Sequence, residues 1–193
     1  MDKGNALNKN EFLKKHGEEQ LVLFGAIANE SERACVIVGA ANIDALLGEL
    51  ITKVLVPVKE KERICSDDSA FSTFSAKTSL AYQLGLIDKD LFSQLNMLRK
   101  IRNDFSHRVT GCKLTESPHI NRFSDLKKSV SKYESFKCMP KGFPNTNIEE
   151  PEHVLEMKLI IVYLSSTLSM ITHHVIPAYQ SNLKIIEEFR GNA

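Results

Sequence analysis

The 193-residue sequence contains no tryptophan, and aromatic residues make up only 7% of it. So few aromatic side chains argue against a carbohydrate-binding protein and against a large all-β fold. The longest apolar runs, at 54–58 and 159–164, are far shorter than the roughly 20 residues of a membrane-spanning helix. The N-terminal segment is polar and charged, unlike a secretory signal peptide. We therefore expect a cytoplasmic protein with no membrane span.

An excess of one charge is also lacking, because 25 lysines and arginines against 24 aspartates and glutamates give a formal net charge of +1. Proteins that hold long nucleic acids through their phosphates usually have a basic excess or stripe, so RNA binding here has to be local. The four cysteines lie far apart, without the CxxC spacing of zinc or redox sites. This pattern predicts thiols, with no metal and no cofactor.

Apolar residues recur with a helical period along nearly the whole sequence, and strand-type alternation is absent. We predict an all-α, single-domain bundle of six to seven helices. The single domain spans 1–193 and consists of an N-terminal helical segment (1–30), motif-bearing helices (31–130), a loop (131–150) and C-terminal helices (151–193).

Individual residues predict where the helices begin, break and end. Gly17 should interrupt the first helix, and Ser31 is suited to cap the second, which Pro57 stops. Gly39 and Gly48 lie inside that second helix and would permit another helix to pack closely. Gly85 should end a third helix, and Asp88 should cap the helix Lys89–His107. Two further helices should start at Ser117-Pro118 and at Pro151. Pro177 should end or kink the helix that begins at Pro151, and a short amphipathic helix should follow it.

One polar residue lies where an apolar side chain is expected. The helix that begins near residue 89 has a narrow apolar stripe, and Arg102 lies in its middle. The stripe consists of Leu91, Leu95, Leu98 and Phe105. An arginine in this position has to extend to solvent, pair with an acid, or face a cleft or subunit interface. Asn103 and His107 follow, four residues apart and so on one helix face.

The segment Arg102-Asn103-Asp104-Phe105-Ser106-His107 resembles the R-x4-H motif of the HEPN superfamily, small helical domains that include many ribonucleases. The longer run from Phe71 to His107 resembles the mannitol operon repressor (MltR) family. That family shares the helical design and keeps an arginine and a histidine at this spacing. The helices on either side agree with it only in pattern.

The HEPN resemblance implies a metal-independent endoribonuclease, in which the RNA 2′-hydroxyl attacks the adjacent phosphate and leaves a 2′,3′-cyclic phosphate. Two copies of the motif would meet in a homodimer. His107 would then transfer protons, Arg102 would hold the scissile phosphate, and Asn103 would orient His107 or bind the phosphate. Such an enzyme or RNA-binding module would serve bacterial stress, defence or toxin–antitoxin functions, with an antitoxin as partner.

Basic residues near the motif are the candidate RNA contacts. Lys137 and Lys141 extend the only basic cluster of the sequence, with Glu134 as the one acid inside it. The alternative is that the cluster is an ordinary solvated face. The predicted contacts to the RNA backbone are Arg99, Lys100, Lys127, Lys128 and Lys132.

The repressor resemblance implies instead a non-catalytic transcriptional regulator. The residues after Gly85 include Asp88 and Asp90 ahead of any arginine, which does not suit a helix that enters a DNA groove. Such a regulator would act through a protein partner such as a transcription factor. In that case Arg102 would pair with an acid such as Asp44 or Glu49, and His107 would cap a helix end.

Three minor alternatives stay open. A nucleotide could occupy the Arg102 cleft, and Cys112, five residues after His107, could form a nucleophilic pair with a histidine. The adjacent His173 and His174 point about 100° apart, which favours a surface or interface position over a metal site.

Overall fold

The structure is a computed structural model that describes residues 3–59, 64–65, 69–107, 112–139, 150–177 and 179–190. Within these ranges every regular element is a helix, which confirms the all-α fold. The eight described helices are α1 (Lys3–Ala28), α2 (Glu32–Val54), α3 (Phe74–Gln83), α4 (Lys89–His107), α5 (His119–Val130), α6 (Glu134–Lys137), α7 (Glu152–His174) and α8 (Tyr179–Arg190). The number exceeds the prediction because the four-residue α6 lies in the predicted loop.

Helices α2 and α7 form the centre of the core and contact each other more extensively than any other pair. Helix α1 packs on both of them, α3 and α4 pack on α2, and α5 packs on α4 and α7. With mean hydropathies of 1.8 and 1.6 over 18 residues, α2 and α7 are each long and apolar enough to cross a membrane. Their place in the core accounts for that composition, since 44% and 50% of those windows are buried.

The close approach of α2 and α7 depends on Gly39. A Cβ atom built at this residue would lie 2.5 Å from Cγ2 of Ile161, well inside the roughly 3.5 Å at which carbon atoms make contact. At Gly48 the nearest atom to a Cβ would be Nζ of Lys77 at 3.8 Å, an ordinary contact with a flexible side chain. Both glycines predicted to permit close packing face another helix, but only at Gly39 does that helix approach too closely for a Cβ atom.

The predicted helix ends are confirmed where a local hydrogen bond or backbone angle sets them. Ser31 Oγ accepts the N–H of Ala34 at 3.3 Å, and Asp88 Oδ1 accepts that of Leu91 at 2.8 Å. Gly85 has a φ of +69°, the left-handed conformation that follows a helix and favours glycine. Helix α2 ends at Val54, ahead of the proline that was predicted to stop it.

Two predicted boundaries differ from the structure. Helix α1 runs without a break through Gly17, which is exposed and has open space around a Cβ, so the glycine costs only helix propensity. Pro118, rather than Ser117, is the N-cap residue of α5, and it supplies no side-chain cap. Helix α7 ends at His174, ahead of Pro177, which agrees with the prediction that this proline ends or kinks the helix. Residues 140–149 of the predicted loop lie outside the described part of the chain.

Helix α8 is the predicted short amphipathic helix, but its apolar side chains do not join the core. Phe189 is the most exposed of them, at 88%. The other exposed apolar residues of α8 are Leu183, Ile185 and Ile186.

Candidate functional site

The motif residues lie in the last two turns of α4, beside the start of α5. We call this region the α4–α5 site. It consists of Arg102, Asn103, Asp104 and His107 on α4, Cys112 before α5, and His119 and Arg122 on α5. Helices α4 and α5 pack against each other, which brings the two ends together.

Arg102 lies half-buried on the apolar stripe, as its helical position predicts. Its Nη1 donates a hydrogen bond of 3.1 Å to Oδ1 of Asn103. The carboxylate of Asp44, a predicted partner, accepts instead from Lys77 at 3.1 Å. Glu49, the other predicted partner, lines a groove described below. Within the described residues no carboxylate forms a salt bridge with Arg102.

His107 is exposed at the C-terminal end of α4, where a positive imidazole interacts favourably with the helix dipole. The Asn103 oxygen is occupied by Arg102, and no hydrogen bond joins Asn103 to His107 in the ranges that the structure describes. Arg102 is therefore hydrogen-bonded to Asn103, and within the described residues His107 forms a hydrogen bond with neither of them.

Asp104, a motif residue to which the sequence assigned no role, begins a chain of polar contacts. Arg122 donates a hydrogen bond to its carboxylate. The same carboxylate lies 3.5 Å from Nδ1 of His119, and Nε2 of His119 lies 3.2 Å from Sγ of Cys112. The imidazole is 1% exposed, and its ring packs edge-on against Phe105 with centroids 5.2 Å apart.

These contacts correct one sequence-based interpretation. Cys112 was considered as a nucleophile because His107 precedes it by five residues, but the imidazole that contacts its sulfur is His119. The signal in the sequence was the presence of a second histidine seven residues after Cys112. Nothing in the spacing alone distinguishes the two histidines, because the choice depends on how α5 packs on α4.

Three of the five predicted RNA-binding residues, Arg99, Lys127 and Lys132, contact an acid or an amide. Arg99 contacts the side-chain oxygen of Asn96 at 3.4 Å, and Lys100 is exposed. The ion pairs of the lysine cluster are Lys127–Glu156 at 2.5 Å, Lys132–Asp90 at 4.0 Å and Lys137–Glu134 at 2.5 Å. Lys128 is exposed without a carboxylate partner in the described residues, and Lys141 lies outside them. The acids offset much of the positive charge that an RNA backbone would need.

His173 and His174 are exposed at the end of α7, as predicted, with ring centroids 4.9 Å apart. Nδ1 of His174 lies 2.8 Å from the carbonyl oxygen of Met170. No group of three or more potential metal ligands is found among the residues for which the structure gives positions.

An open groove of 850 Å³ lies between α1, α2 and α7, and no motif or spacing in the sequence predicts it. Its apolar lining includes Val22, Leu23, Val38 and Leu46, and its acidic residues are Glu18, Glu19 and Glu49. Lys53 also lines it, but its ammonium group donates to the backbone carbonyls of Thr172 and His173. We call this surface the α1–α2–α7 groove.

No protein-family model matches the sequence, and no curated protein is significantly similar to it. Among solved structures, the chain is similar to the X-ray structure of the MtlR–HPr complex from Escherichia coli. The TM-score is 0.55 and the sequence identity 15%, and the match covers 79% of this chain and 97% of that chain. The likeness confirms the helical fold that the resemblance to the mannitol operon repressor family implied, and it does not test the HEPN motif.

Proposed function

We propose that this chain works as a single cytoplasmic helical domain that regulates by binding a protein partner, without catalysis. The observation that carries the proposal is the similarity of its fold to MtlR, which was solved in complex with the protein HPr. Two features of the structure support it, the bonding of the motif residues and the α1–α2–α7 groove.

The bonding of the motif favours a structural role. Asn103 is bound to Arg102, and Asp104 is bound to Arg122, so two of the motif's polar side chains serve contacts inside the chain. A ribonuclease needs a proton-transfer group and a phosphate-binding cation that converge on one substrate. Asn103, which the ribonuclease would use to orient His107 or bind the phosphate, is bonded to Arg102 instead.

The α1–α2–α7 groove has the chemistry of a docking surface. Val22 is 74% exposed at its edge and Leu21, next to it, is 61% exposed, although both are aliphatic. Apolar side chains exposed side by side typically mark an interaction surface. Three glutamates line the groove, and the ammonium of Lys53 is bonded to carbonyls, so the groove favours a partner segment that combines apolar and basic side chains.

A dimeric, metal-independent endoribonuclease or RNA-binding module of the HEPN type is the second candidate. One observation favours it: the Arg102 guanidinium has no carboxylate partner among the described residues, and His107 is exposed five residues later on the same helix. A second copy could then bring the complementary groups to one RNA phosphate. The exposed apolar residues of α8 support self-association.

One set of variants separates the two candidates. Wild type, Val22→Lys, Arg102→Ala and His107→Ala are each expressed in the source organism, and growth, RNA integrity and co-purifying proteins are measured. Ile120→Lys, which changes an exposed aliphatic residue of α5 outside the groove, is the matched control. HPr is tested by name, and any captured partner is titrated against the chain from purified components.

The regulator predicts intact RNA in every strain. It also predicts a partner that binds wild type, Arg102→Ala, His107→Ala and Ile120→Lys, and binds Val22→Lys at least tenfold more weakly. RNA fragments with cyclic-phosphate ends that disappear in both Arg102→Ala and His107→Ala would overturn it and establish the ribonuclease. A partner whose affinity is equal for Val22→Lys and wild type would show that the groove is not the docking surface.

A further inference from the structure

Cys112 belongs to a linear arrangement of three side chains that neither candidate function uses. Its sulfur lies 3.2 Å from Nε2 of His119, and Nδ1 on the other side of that ring lies 3.5 Å from Oδ2 of Asp104. Thiol, imidazole and carboxylate in this order form the arrangement in which a base activates a nucleophile and a third group orients the base.

The arrangement favours one tautomer of His119. At 3.5 Å the contact between Nδ1 and the Asp104 carboxylate is electrostatic and not a hydrogen bond, and the negative charge of Asp104 favours the proton on Nδ1. Nε2 then presents its lone pair to the Cys112 thiol. Arg122 holds the carboxylate in place, and Phe105 packs against the imidazole, so the ring has little freedom to turn away.

We propose that Cys112 is a reactive thiol that forms mixed disulfides with low-molecular-weight disulfides. His119 Nε2 takes the thiol proton, and the Cys112 thiolate attacks one sulfur of the small disulfide. A new sulfur–sulfur bond forms as the old one breaks, and the other half leaves as a thiolate. The Cys112 sulfur is thereby oxidised and the departing sulfur is reduced, so no further oxidant is required.

The other cysteines lack this environment. Burial raises the pKa of Cys35 to about 12, and burial also raises the pKa of the half-buried Cys65. Both therefore remain thiols at neutral pH, and a thiol is a poor nucleophile. Cys138 is exposed, and no imidazole contacts its sulfur in the described residues, which makes it the control for simple accessibility.

The product would place a bulky group beside the motif. Cys112 is half-buried next to α5, whose Arg122 donates a hydrogen bond to Asp104 of α4 and whose His119 lies 3.5 Å from the same carboxylate. A group attached to its sulfur has to lie against this junction, where it separates the sulfur from His119. The proposed modification depends only on Cys112 and its neighbours, so it can occur whether the chain binds a protein partner or cleaves RNA.

The test measures the rate of mixed-disulfide formation at each cysteine. The folded full-length protein is incubated with glutathione disulfide at pH 7, and samples are acid-quenched, digested and analysed by peptide mass spectrometry. Each rate is divided by the rate for the same cysteine in the urea-unfolded chain. We expect the normalised rate of Cys112 to be about tenfold or more above that of Cys138, since an unassisted thiol is only a few per cent thiolate at pH 7.

Two variants assign the effect to the neighbours of the thiol. His119→Gln keeps a polar atom near Sγ but removes the base, and it should lower the Cys112 rate about tenfold without changing the Cys138 rate. Asp104→Asn should lower the Cys112 rate by a smaller factor and tests the same idea if His119→Gln does not fold. A Cys112 rate no higher than that of Cys138, or unchanged in the folded variants, would overturn the proposal.

Discussion

The ammonium group of Lys158, on α7, donates a hydrogen bond of 2.6 Å to the backbone carbonyl of Ala28, the last residue of α1. The end of a helix leaves carbonyl groups without partners inside the helix, and a cation there also complements the helix dipole. The carboxylate of Glu150 completes the contact. A lysine that is 1% exposed thus joins α1 to the central helix of the core.

Replacing Lys158 should therefore strongly destabilise the protein. We expect Lys158→Met to lower the free energy of unfolding by about 3 kcal/mol or more, because it leaves the Ala28 carbonyl and the Glu150 carboxylate without their partner. Urea denaturation measures the change. The matched control is Lys137→Met, which breaks an exposed pair with Glu134 and should cost about 1 kcal/mol or less. Equal losses in the two variants would contradict the role given to Lys158.

Adding a methyl group should have opposite effects at two helical glycines. Gly39→Ala brings a Cβ against Ile161 and should destabilise the protein by about 1–3 kcal/mol, despite the gain in helix propensity. Gly17→Ala enters open space on α1 and should stabilise the protein by up to about 1 kcal/mol. Thermal and urea unfolding of both variants measure this difference, and a stabilised Gly39→Ala would show that α2 and α7 are less closely packed.

The pH dependence of stability should report on Tyr133. Burial and the 2.9 Å hydrogen bond to Asp90 raise the pKa of this phenol to about 12, above the value of about 10 for an unfolded chain. Between these two values the unfolded chain has lost the proton that the folded chain keeps, so this contribution to stability falls as the pH rises from about 10 to about 12. Below pH 10 the contribution is fully present.

Two variants isolate that contribution. Tyr133→Phe removes the ionising group, and Asp90→Asn removes the charge that opposes ionisation. Urea denaturation at several pH values should show a shallower decline above pH 10 in both variants than in wild type. A decline as steep in Tyr133→Phe as in wild type would assign the alkaline sensitivity to other groups.

The N-cap of α4, the helix that carries the motif residues, should contribute measurably to the free energy of unfolding. Asp88→Ala removes the acceptor of the Leu91 N–H and should cost about 1 kcal/mol. Asp88→Asn, which keeps an oxygen in the same place, should recover most of this loss. If Asp88→Asn were as destabilised as Asp88→Ala, the charge on Asp88 would be the source of its contribution, and the capping oxygen would not.

The sequence predicted those features that depend on residues a few positions apart. Ser31, Gly85 and Asp88 set helix ends through bonds or backbone angles within their own turns, so their roles could be inferred directly. The half-buried place of Arg102 followed from helical geometry alone. Its hydrogen-bond partner did not, because the acid proposed for it, Asp44, binds Lys77 on another helix.

The contacts of the α4–α5 site, like the partner of Arg102, depend on how separate helices pack and could not be inferred from nearby residues. The position of His119 against Cys112 and Asp104 depends on the angle at which α5 returns along α4. The α1–α2–α7 groove depends on three helices that are far apart in the chain. Neither the position of His119 nor the groove produces a periodicity or a residue spacing that can be recognised in the sequence.

The two most apolar helices are also made at very different times. Helix α2 is complete at Val54, whereas α7 begins at Glu152, about 100 residues later. At translation rates of about 5–20 residues per second, α2 waits several seconds for the helix that covers it. During that interval α1, α3 and α4 are the described helices that can already pack on α2, but the face of α2 that α7 covers has no partner yet, and the segment is as apolar as a membrane span. Until α7 is made, that face of α2 is therefore open to any chaperone that binds apolar segments.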